Sequence, residues 1–374
     1  MFLDFSKKIL SWYQIHKREL PWRNETTAYR IWLSEIIMQQ TRIRQGLPYY
    51  LRFVSLFPTV DKLAEAREEE VLKAWQGLGY YTRARNLHAA ARQVVESGRA
   101  FPTSYRDLLG LKGVGEYTAA AIASIVSGEK VPAIDGNVVR VLSRYGGIFE
   151  PAGSSKNKQA VAELARKLIS PEQPGDFNQA LMDLGAIICT PTQTRCDECP
   201  LKETCFARKQ GVVSSLPVQK RKPKIRTRYF HYIVIETGSQ MVIHQRTSND
   251  IWRNLFEFPL IETEQKALPE TVLHSDLCSL LLSGCEATLV SVSDTQIHRL
   301  SHQILKIRFY HLQAKDVKKL PEQFLFTDKM DIFDFPVPRI IEEYLENKKT
   351  GLRDVSGQDR QKEKQTIFPA QPEI

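Results

Sequence analysis

Four of the six cysteines fall in one short stretch, spaced Cys189-x6-Cys196-x2-Cys199-x5-Cys205. Four thiolates that close in sequence can hold one metal centre. Zinc accepts four cysteines, but more usually from two widely separated Cys-x2-Cys pairs, and it stays open as an alternative. The compact, lopsided spacing suits a cubane iron–sulfur cluster better. Thr190, Thr192, Gln193, Thr194 and Arg195 fill the first loop with groups able to touch phosphate. A second stretch, Leu111-Lys112-Gly113-Val114-Gly115-Glu116-Tyr117-Thr118-Ala119-Ala120-Ala121, brackets a valine with glycines just before an alanine-rich run. Glycine lets the backbone turn tightly and approach a ligand, and a helix start offers N–H groups and a positive dipole end. Such a turn suits a phosphate, although many helix pairs join through glycine and bind nothing.

These groups need helices to place them. From Phe2 to about Gly211 the pattern is helical almost throughout, with no convincing strand alternation. Pro102–Leu109 predicts a short polar-capped helix ahead of the glycine turn, giving helix, hairpin, helix. Asp61–Trp75 reads as one helix stopped by Gly77-Leu78-Gly79, and Leu87–Val95, Thr118–Val126 and Val138–Tyr145 read as others. Leu216–Arg228 changes character: two prolines, six basic residues and no acid predict an extended linker able to lie along a polyanion, or simply a solvated connector. Beyond it the period becomes two. Tyr229–Ile235 and Met241–His244 flank Gly238-Ser239 as a hairpin, Ala287–Val292 and Ile304–Leu312 are further strands, and Pro269–Leu282 and Pro338–Leu345 are helices. The fold class is therefore a mostly α domain (residues 1–215), a basic linker (216–228), an α+β domain with a mixed sheet (229–346) and a polar tail (347–374) expected to be disordered.

Bulk properties agree. A chain of 374 residues suffices for two cores, and 42% apolar with 25% charged residues is ordinary for a globular protein. No apolar run reaches the roughly 20 residues that span a bilayer, so no membrane partner is expected. Met1–Leu20 scatters charges at helical spacing and reads as a helix, not an export signal. The net charge of +9 favours a polyanionic partner.

Taken together, the first 215 or so residues resemble the helix-hairpin-helix DNA glycosylases with a C-terminal [4Fe-4S] loop, and within that group the adenine DNA glycosylase (MutY) family. The resemblance rests on Leu20-Pro21-Trp22-Arg23, on Trp32-Leu33-Ser34-Glu35-Ile36-Ile37-Met38-Gln39-Gln40-Thr41, and on Gly77-Leu78-Gly79-Tyr80-Tyr81-Thr82-Arg83-Ala84-Arg85-Asn86-Leu87. It rests equally on Val131-Pro132-Ala133-Ile134-Asp135-Gly136-Asn137-Val138 and the cysteine spacing, all in the same order. One departure is Lys112, where the hairpin usually has proline.

The resemblance implies a chemistry that the residue types can perform. Releasing adenine requires an acid to protonate the base, and Glu35, beside Ile36, Ile37 and Met38, would have its pKa raised by burial. Without the resemblance, a solvent-facing helix glutamate is the plainer reading. Asp135 would stabilise an oxocarbenium-like sugar, as a carboxylate does in glycoside hydrolysis. It is also the natural N-cap of the helix from Val138, and the two roles are compatible. Asn137 would orient Asp135 or a water. Tyr117 occupies the position where bifunctional relatives carry a Schiff-base lysine, which argues against strong lyase activity. The adenine must leave the duplex, and Gln40 and Tyr80 match the family's intercalating residues, with Leu78 alongside. Arg23, Thr41 and Arg83 are candidate contacts to DNA or the flipped base, and Gly113, Val114 and Gly115 the candidate phosphate clamp. Tyr80-Tyr81 could equally be packing aromatics.

The second domain begins like a Nudix fold at Gln245–Pro259, yet no Nudix box of clustered acidic metal ligands follows, so a reader is expected and not a pyrophosphatase. Its match to the family's lesion-recognition loop is His298-Arg299-Leu300-Ser301-His302, where Leu300 replaces the usual phenylalanine. Ser301 could hydrogen-bond 8-oxoguanine, with His302 beside it. The implied function is a monofunctional glycosylase removing adenine opposite 8-oxoguanine or guanine in base excision repair, with a [4Fe-4S] cluster held by Cys189, Cys196, Cys199 and Cys205. The implied setting is a monomer on double-stranded DNA in the bacterial cytoplasm, at the nucleoid while acting. Rivals are a thymine or bifunctional pyrimidine glycosylase, a catalytically silent DNA-binding scaffold, and a Nudix hydrolase.

Overall fold

The computed structural model describes residues 2–24, 26–219, 225–315, 317, 320–349 and 366–368. The chain forms two compact units. One contains residues 1–66 and 82–222, and the other contains residues 67–81 and 223–374.

The described part of the first unit is all helix and turn, as the apolar spacing predicts. Helices Phe2–His16, Gly136–Gly146, Ser155–Leu168 and Pro174–Ile187 enclose one core of Phe5, Ile9, Val141, Leu142, Phe177, Leu181 and Leu184. The predicted capping chemistry is present where chain direction matters. Ser104 Oγ accepts from Asp107 N–H and starts helix Tyr105–Leu108, and Asp135 starts Gly136–Gly146. Helix Glu116–Val126 begins at Gly115 and is buried over most of its length by alanines, a sequence that brings helices close together.

One expectation fails at a point that matters. Asp61–Trp75 is two helices, Val60–Glu65 and Glu68–Trp75, separated by extended backbone at Ala66 and Arg67. Arg67 N–H donates to Glu70 Oε2 at 2.8 Å, so the break is a capped helix start. There the chain passes from the first unit to the second.

The second unit is a mixed sheet between helices. Its strands are β1 (Arg226–Thr237), β2 (Gln240–Gln245), β3 (Phe256–Glu257), β4 (Leu260–Thr263), β5 (Glu286–Val292), β6 (Gln296–Arg299), β7 (Gln303–Lys315), β8 (Phe324–Asp328) and β9 (Thr366–Phe368). The main path runs β3-β2-β1-β7-β5-β9, with β4 on β1, β6 on β7 and β8 on β2. β1 and β7 pair in parallel from Arg226 opposite Gln303 to Glu236 opposite Gln313. The period of two divides β1 between faces: Phe230, Tyr232 and Val234 pack with Ile340, Ile341 and Leu345, whereas Ile233 and Ile235 pack with Val272, Leu273, Cys278 and Leu281. The Gly238-Ser239 hairpin forms as predicted. β1 starts at Arg226, inside the expected linker, of which residues 220–224 lie outside the described residues. The predicted helix Pro269–Leu282 is two, Pro269–Leu273 and Asp276–Leu281, because Ser275 Oγ caps a new start. The expected disordered tail lies mostly outside the described residues, while helix Arg339–Lys349 continues past 346 and Thr366–Phe368 pairs with β5.

Candidate active site

Glu35 lies in helix Ala28–Met38, whose neighbouring positions Ile31, Trp32, Leu33, Ile36 and Ile37 are all buried. The helix starts where Thr27 Oγ1 accepts from Arg30 N–H at 3.3 Å. Burial pushes the Glu35 carboxyl up to about 7; a hydrogen bond from Tyr117 and the Arg23 charge oppose this, and the Asp135 charge adds to it. Those groups come from four helices or their caps, and the structure brings Glu35, Tyr117 and Asp135 together. Burial also raises Tyr117 well above the usual phenol range, helped by the nearby Glu35 and Asp135 charges. The Tyr117 hydroxyl is 3.2 Å from Met182 Sδ.

Asp135 is both cap and site carboxylate. Its Oδ1 accepts from Val138 N–H at 2.7 Å and its Oδ2 from Asn137 Nδ2 at 2.7 Å. Burial raises its pKa, but the Val138 and Asn137 hydrogen bonds and the Arg140 charge all favour the anion. Glu35 lacks a comparable set of donors. Burial lifts both carboxyls, but several donors offset it at Asp135, and an unequal pair of this kind can divide into an acid and a carboxylate.

Arg140 extends this arrangement. It donates to Asn137 Oδ1 at 2.8 Å, Gly185 O at 2.6 Å and Cys189 O at 2.7 Å. One turn later the buried Arg144 reaches Thr190 O at 2.8 Å and Cys189 Sγ at 3.3 Å. A single helix therefore presents Asp135 at its start and grips the cysteine loop with two guanidiniums further along.

The four cysteines line a common cavity with Val141, Tyr145, Leu184, Ile188 and Leu201. Burial pushes the Cys199 thiol up to about 12 and Cys205 upward as well. Four thiolates there need compensating positive charge, which a metal group supplies. Among the described residues, no three such side chains are close enough to share one metal ion. The donor set, the cavity and the cations beside Cys189 fit a cluster.

The remaining predicted residues divide. Arg23 donates to Asp183 Oδ2 at 2.8 Å and to Arg18 O at 2.9 Å, and its guanidinium lies over the Tyr13 ring. Arg18 pairs with the same carboxylate, and although burial pushes Asp183 up, the two guanidiniums outweigh it and hold it low. Arg83 Nη1 donates to the carbonyls of Ile36 and Ile37 at 3.1 and 3.0 Å and to Gln39 O, closing the end of the glutamate helix. It also reaches Thr41 Oγ1 at 3.4 Å, so both residues are occupied in shaping that turn. Gln40 follows, exposed and in left-handed backbone with φ 54°. In the hairpin, Gly113 and Gly115 are exposed while Val114 is buried, so the valine anchors the turn and only the glycines face outward. A side chain at Gly113 would meet Asn86 Cβ at 2.6 Å, and its φ is +76°. In the second unit Tyr80 is 45% exposed with φ 50°, whereas Leu78 is buried. Ser301 and His302 are exposed at the tip between β6 and β7, with Ser301 Oγ 3.2 Å from His302 Nδ1.

Sequence reasoning missed Arg18, Asp183, Met182, Arg140 and Arg144. A signal existed for Asp183, an acid in the otherwise apolar run Ala180-Leu181-Met182-Asp183-Leu184, since buried carboxylates are rare unless paired. A polar cavity of about 470 Å³ adjoins the Arg18–Arg23 pair, and neither this cavity nor the cysteine cavity is lined by Glu35 or Asp135. Glu35 and Asp135 are each half-buried as residues. Among the described residues, no helix is long and apolar enough to cross a membrane.

Comparison with known proteins agrees with this geometry. Residues 33–171 match the HhH-GPD superfamily of base excision DNA repair proteins, and residues 231–347 match the NUDIX domain. An adenine DNA glycosylase of Buchnera aphidicola subsp. Schizaphis graminum is 38% identical over 266 residues, covering 71% of this chain and 77% of that protein. One from Arabidopsis thaliana is 36% identical over 299 residues, covering 69% of this chain and 48% of the plant protein, so the chain spans about half of that longer relative. Among solved structures, a thermostable thymine-DNA glycosylase aligns with a TM-score of 0.51 at 31% identity, covering 55% of this chain and 95% of that one.

Proposed function

The chain belongs to the adenine DNA glycosylase family of base excision repair enzymes, and on that premise we propose that it removes adenine opposite 8-oxoguanine or guanine without strong lyase activity. The observation that carries this is the unequal pair: Glu35 lifted to about 7 by burial, beside an Asp135 carboxyl whose burial is offset by hydrogen bonds from Val138 and Asn137.

The reaction follows from those groups. Glu35, protonated near neutral pH, gives its proton to the ring of the extruded adenine, which makes the base a neutral leaving group. The C1′–N9 bond breaks, its electron pair leaves with adenine, and the sugar becomes cationic. Asp135 stabilises that cation and Asn137 fixes the carboxylate's orientation. The Glu35 carboxylate then takes a proton from the water that adds to C1′, which returns the acid to its starting state. Tyr117 supplies a buried, strongly protonated phenol where a lyase would need an amine, so no Schiff base forms.

Cys189, Cys196, Cys199 and Cys205 would hold a [4Fe-4S] cluster, which when bound supplies positive charge to the thiolates and pins the loop. Gly113 and Gly115 approach a phosphate, Gln40 and Tyr80 fill the duplex around the extruded base, and Ser301 with His302 reads the opposite base. The side chains of Glu35, Asp135, Asn137 and Tyr117 all come from one unit of one chain, which supports action as a monomer. The same reading puts that work on nucleoid DNA in the bacterial cytoplasm.

A duplex panel tests this. Adenine opposite 8-oxoguanine or guanine should be released, with strand breaks appearing only after alkali. Breaks before alkali would overturn the monofunctional assignment. Release of thymine from a thymine–guanine pair, the substrate class of the thymine-DNA glycosylase it is similar to, with no release of adenine, would overturn the substrate.

A further inference from the structure

Residues 67–81 leave the helical unit and fold with the sheet unit, and they carry Tyr80. Helix Glu68–Trp75 is tied there by its polar side chains. Lys73 Nζ donates to the carbonyls of Phe333 and, at 3.2 Å, Phe335. The buried Gln76 amide is used at both ends: Oε1 accepts from Val337 N–H at 3.2 Å, and Nε2 donates to Glu342 Oε1 at 2.6 Å. Asn254 Nδ2 donates to Glu68 Oε1 at 2.5 Å.

The turn after Gln76 is equally fixed. Trp75 Nε1–H donates to Gly79 O at 2.9 Å and Gly77 N–H to the Tyr81 hydroxyl at 3.3 Å. Gly77, Gly79 and Tyr80 have φ of 90°, 76° and 50°, which tucks Leu78 inside and turns Tyr80 outward. A non-glycine residue held left-handed is strained and persists only where its surroundings impose it. Glu342 belongs to helix Arg339–Lys349, and Ile340, Ile341 and Leu345 of that helix form the core on which Leu300 packs. Leu300 immediately precedes Ser301 and His302. A continuous set of packed and hydrogen-bonded groups thus runs from that loop, through the last helix and Gln76, to Tyr80.

We propose that helix Glu68–Trp75 mounts the Tyr80 wedge on the body that reads the opposite base, with Gln76 and Glu342 as the positioning residues that join the two. This rests on the roles given above to Tyr80 and to Ser301 and His302. Recognition at the loop and insertion of Tyr80 are then one movement, and preference for 8-oxoguanine depends on a contact that touches neither DNA strand.

The test uses the full chain and measures single-turnover adenine release opposite 8-oxoguanine and opposite guanine. Gln76→Glu sets two carboxylates against each other and should lower the ratio of the two rates about tenfold, in the range of ordinary coupling energies. Adding Glu342→Gln restores a donor–acceptor pair and should return the ratio to within about twofold of wild type, which a loss of folding would not allow. In a Tyr80→Ala background, Gln76→Glu should change the ratio no further. If Tyr80→Ala lowers the ratio and Gln76→Glu leaves it unchanged, the mounting is wrong while the wedge stands. Equal losses from Gln76→Glu with and without Tyr80, or failure of the Glu342→Gln rescue, also overturn it. If Tyr80→Ala changes neither ratio nor duplex binding, the wedge itself fails and the proposal with it.

Discussion

Replacing the buried acid should stabilise the protein, and increasingly so as pH rises from about 4.5 through about 7. Glu35 is lifted from an ordinary 4.5 to about 7. The folded state therefore holds this proton more tightly than the unfolded state does. The contribution is fully present below about 4.5 and is lost as pH rises through about 7. A displacement of roughly 2.5 pH units at about 1.36 kcal/mol each costs about 3 kcal/mol above neutrality. About 1 kcal/mol of that is already lost near pH 5.5, leaving about 2 kcal/mol between pH 5.5 and roughly pH 8.5. Glu35→Gln keeps the shape and removes the titration. Its thermal midpoint relative to wild type should rise between those pH values, by on the order of 5 °C for a unit of this size. Paired thermal melts at the two pH values read this directly. A Glu35→Gln protein equally destabilised at both would show that Glu35 is an ordinary solvated carboxylate.

Three other outcomes follow from the site. Asp183→Asn leaves Arg18 and Arg23 without their shared carboxylate, and denaturant titration should show a loss of about 3 kcal/mol, as for other broken buried pairs. Gly113→Ala must accept a φ of +76° and a Cβ pressed on Asn86, so duplex affinity measured by fluorescence anisotropy should fall about tenfold, with a stability cost of roughly 1–3 kcal/mol. Cys199→Ser should lower the visible absorbance and iron content of the purified protein and lower its melting temperature, whereas unchanged absorbance would remove Cys199 from the ligand set.

Much of this site was legible because it is built from local signals. The cysteine spacing, the Asp135 cap and the glycine turn each declare themselves within a few residues. Glu35 was visible as an acid in an apolar helix, although only the fold shows Tyr117 and Asp135 converging on it. What escaped was long-range. Asp61–Trp75 has strong helix formers throughout and no glycine or proline, so nothing marked the break at Ala66 and Arg67 or the change of unit there. The Arg23–Asp183 pair was not visible because its members lie 160 positions apart. Leu78 and Val114 shared motifs with outward-facing neighbours, and single-residue burial within a tight turn depends on its φ values, which spacing does not encode. In the sheet, alternation gave the strands, but not that β1 and β7 pair in parallel, which depends on the path taken between them.

The most direct measurement is single-turnover release of adenine from a duplex with adenine opposite 8-oxoguanine, comparing wild type with Glu35→Gln across pH. Wild type should slow as pH rises above about 7, and Glu35→Gln should be slower by roughly 10²–10⁴-fold at neutral pH with duplex binding retained. A Glu35→Gln enzyme that releases adenine at the wild-type rate would contradict the account.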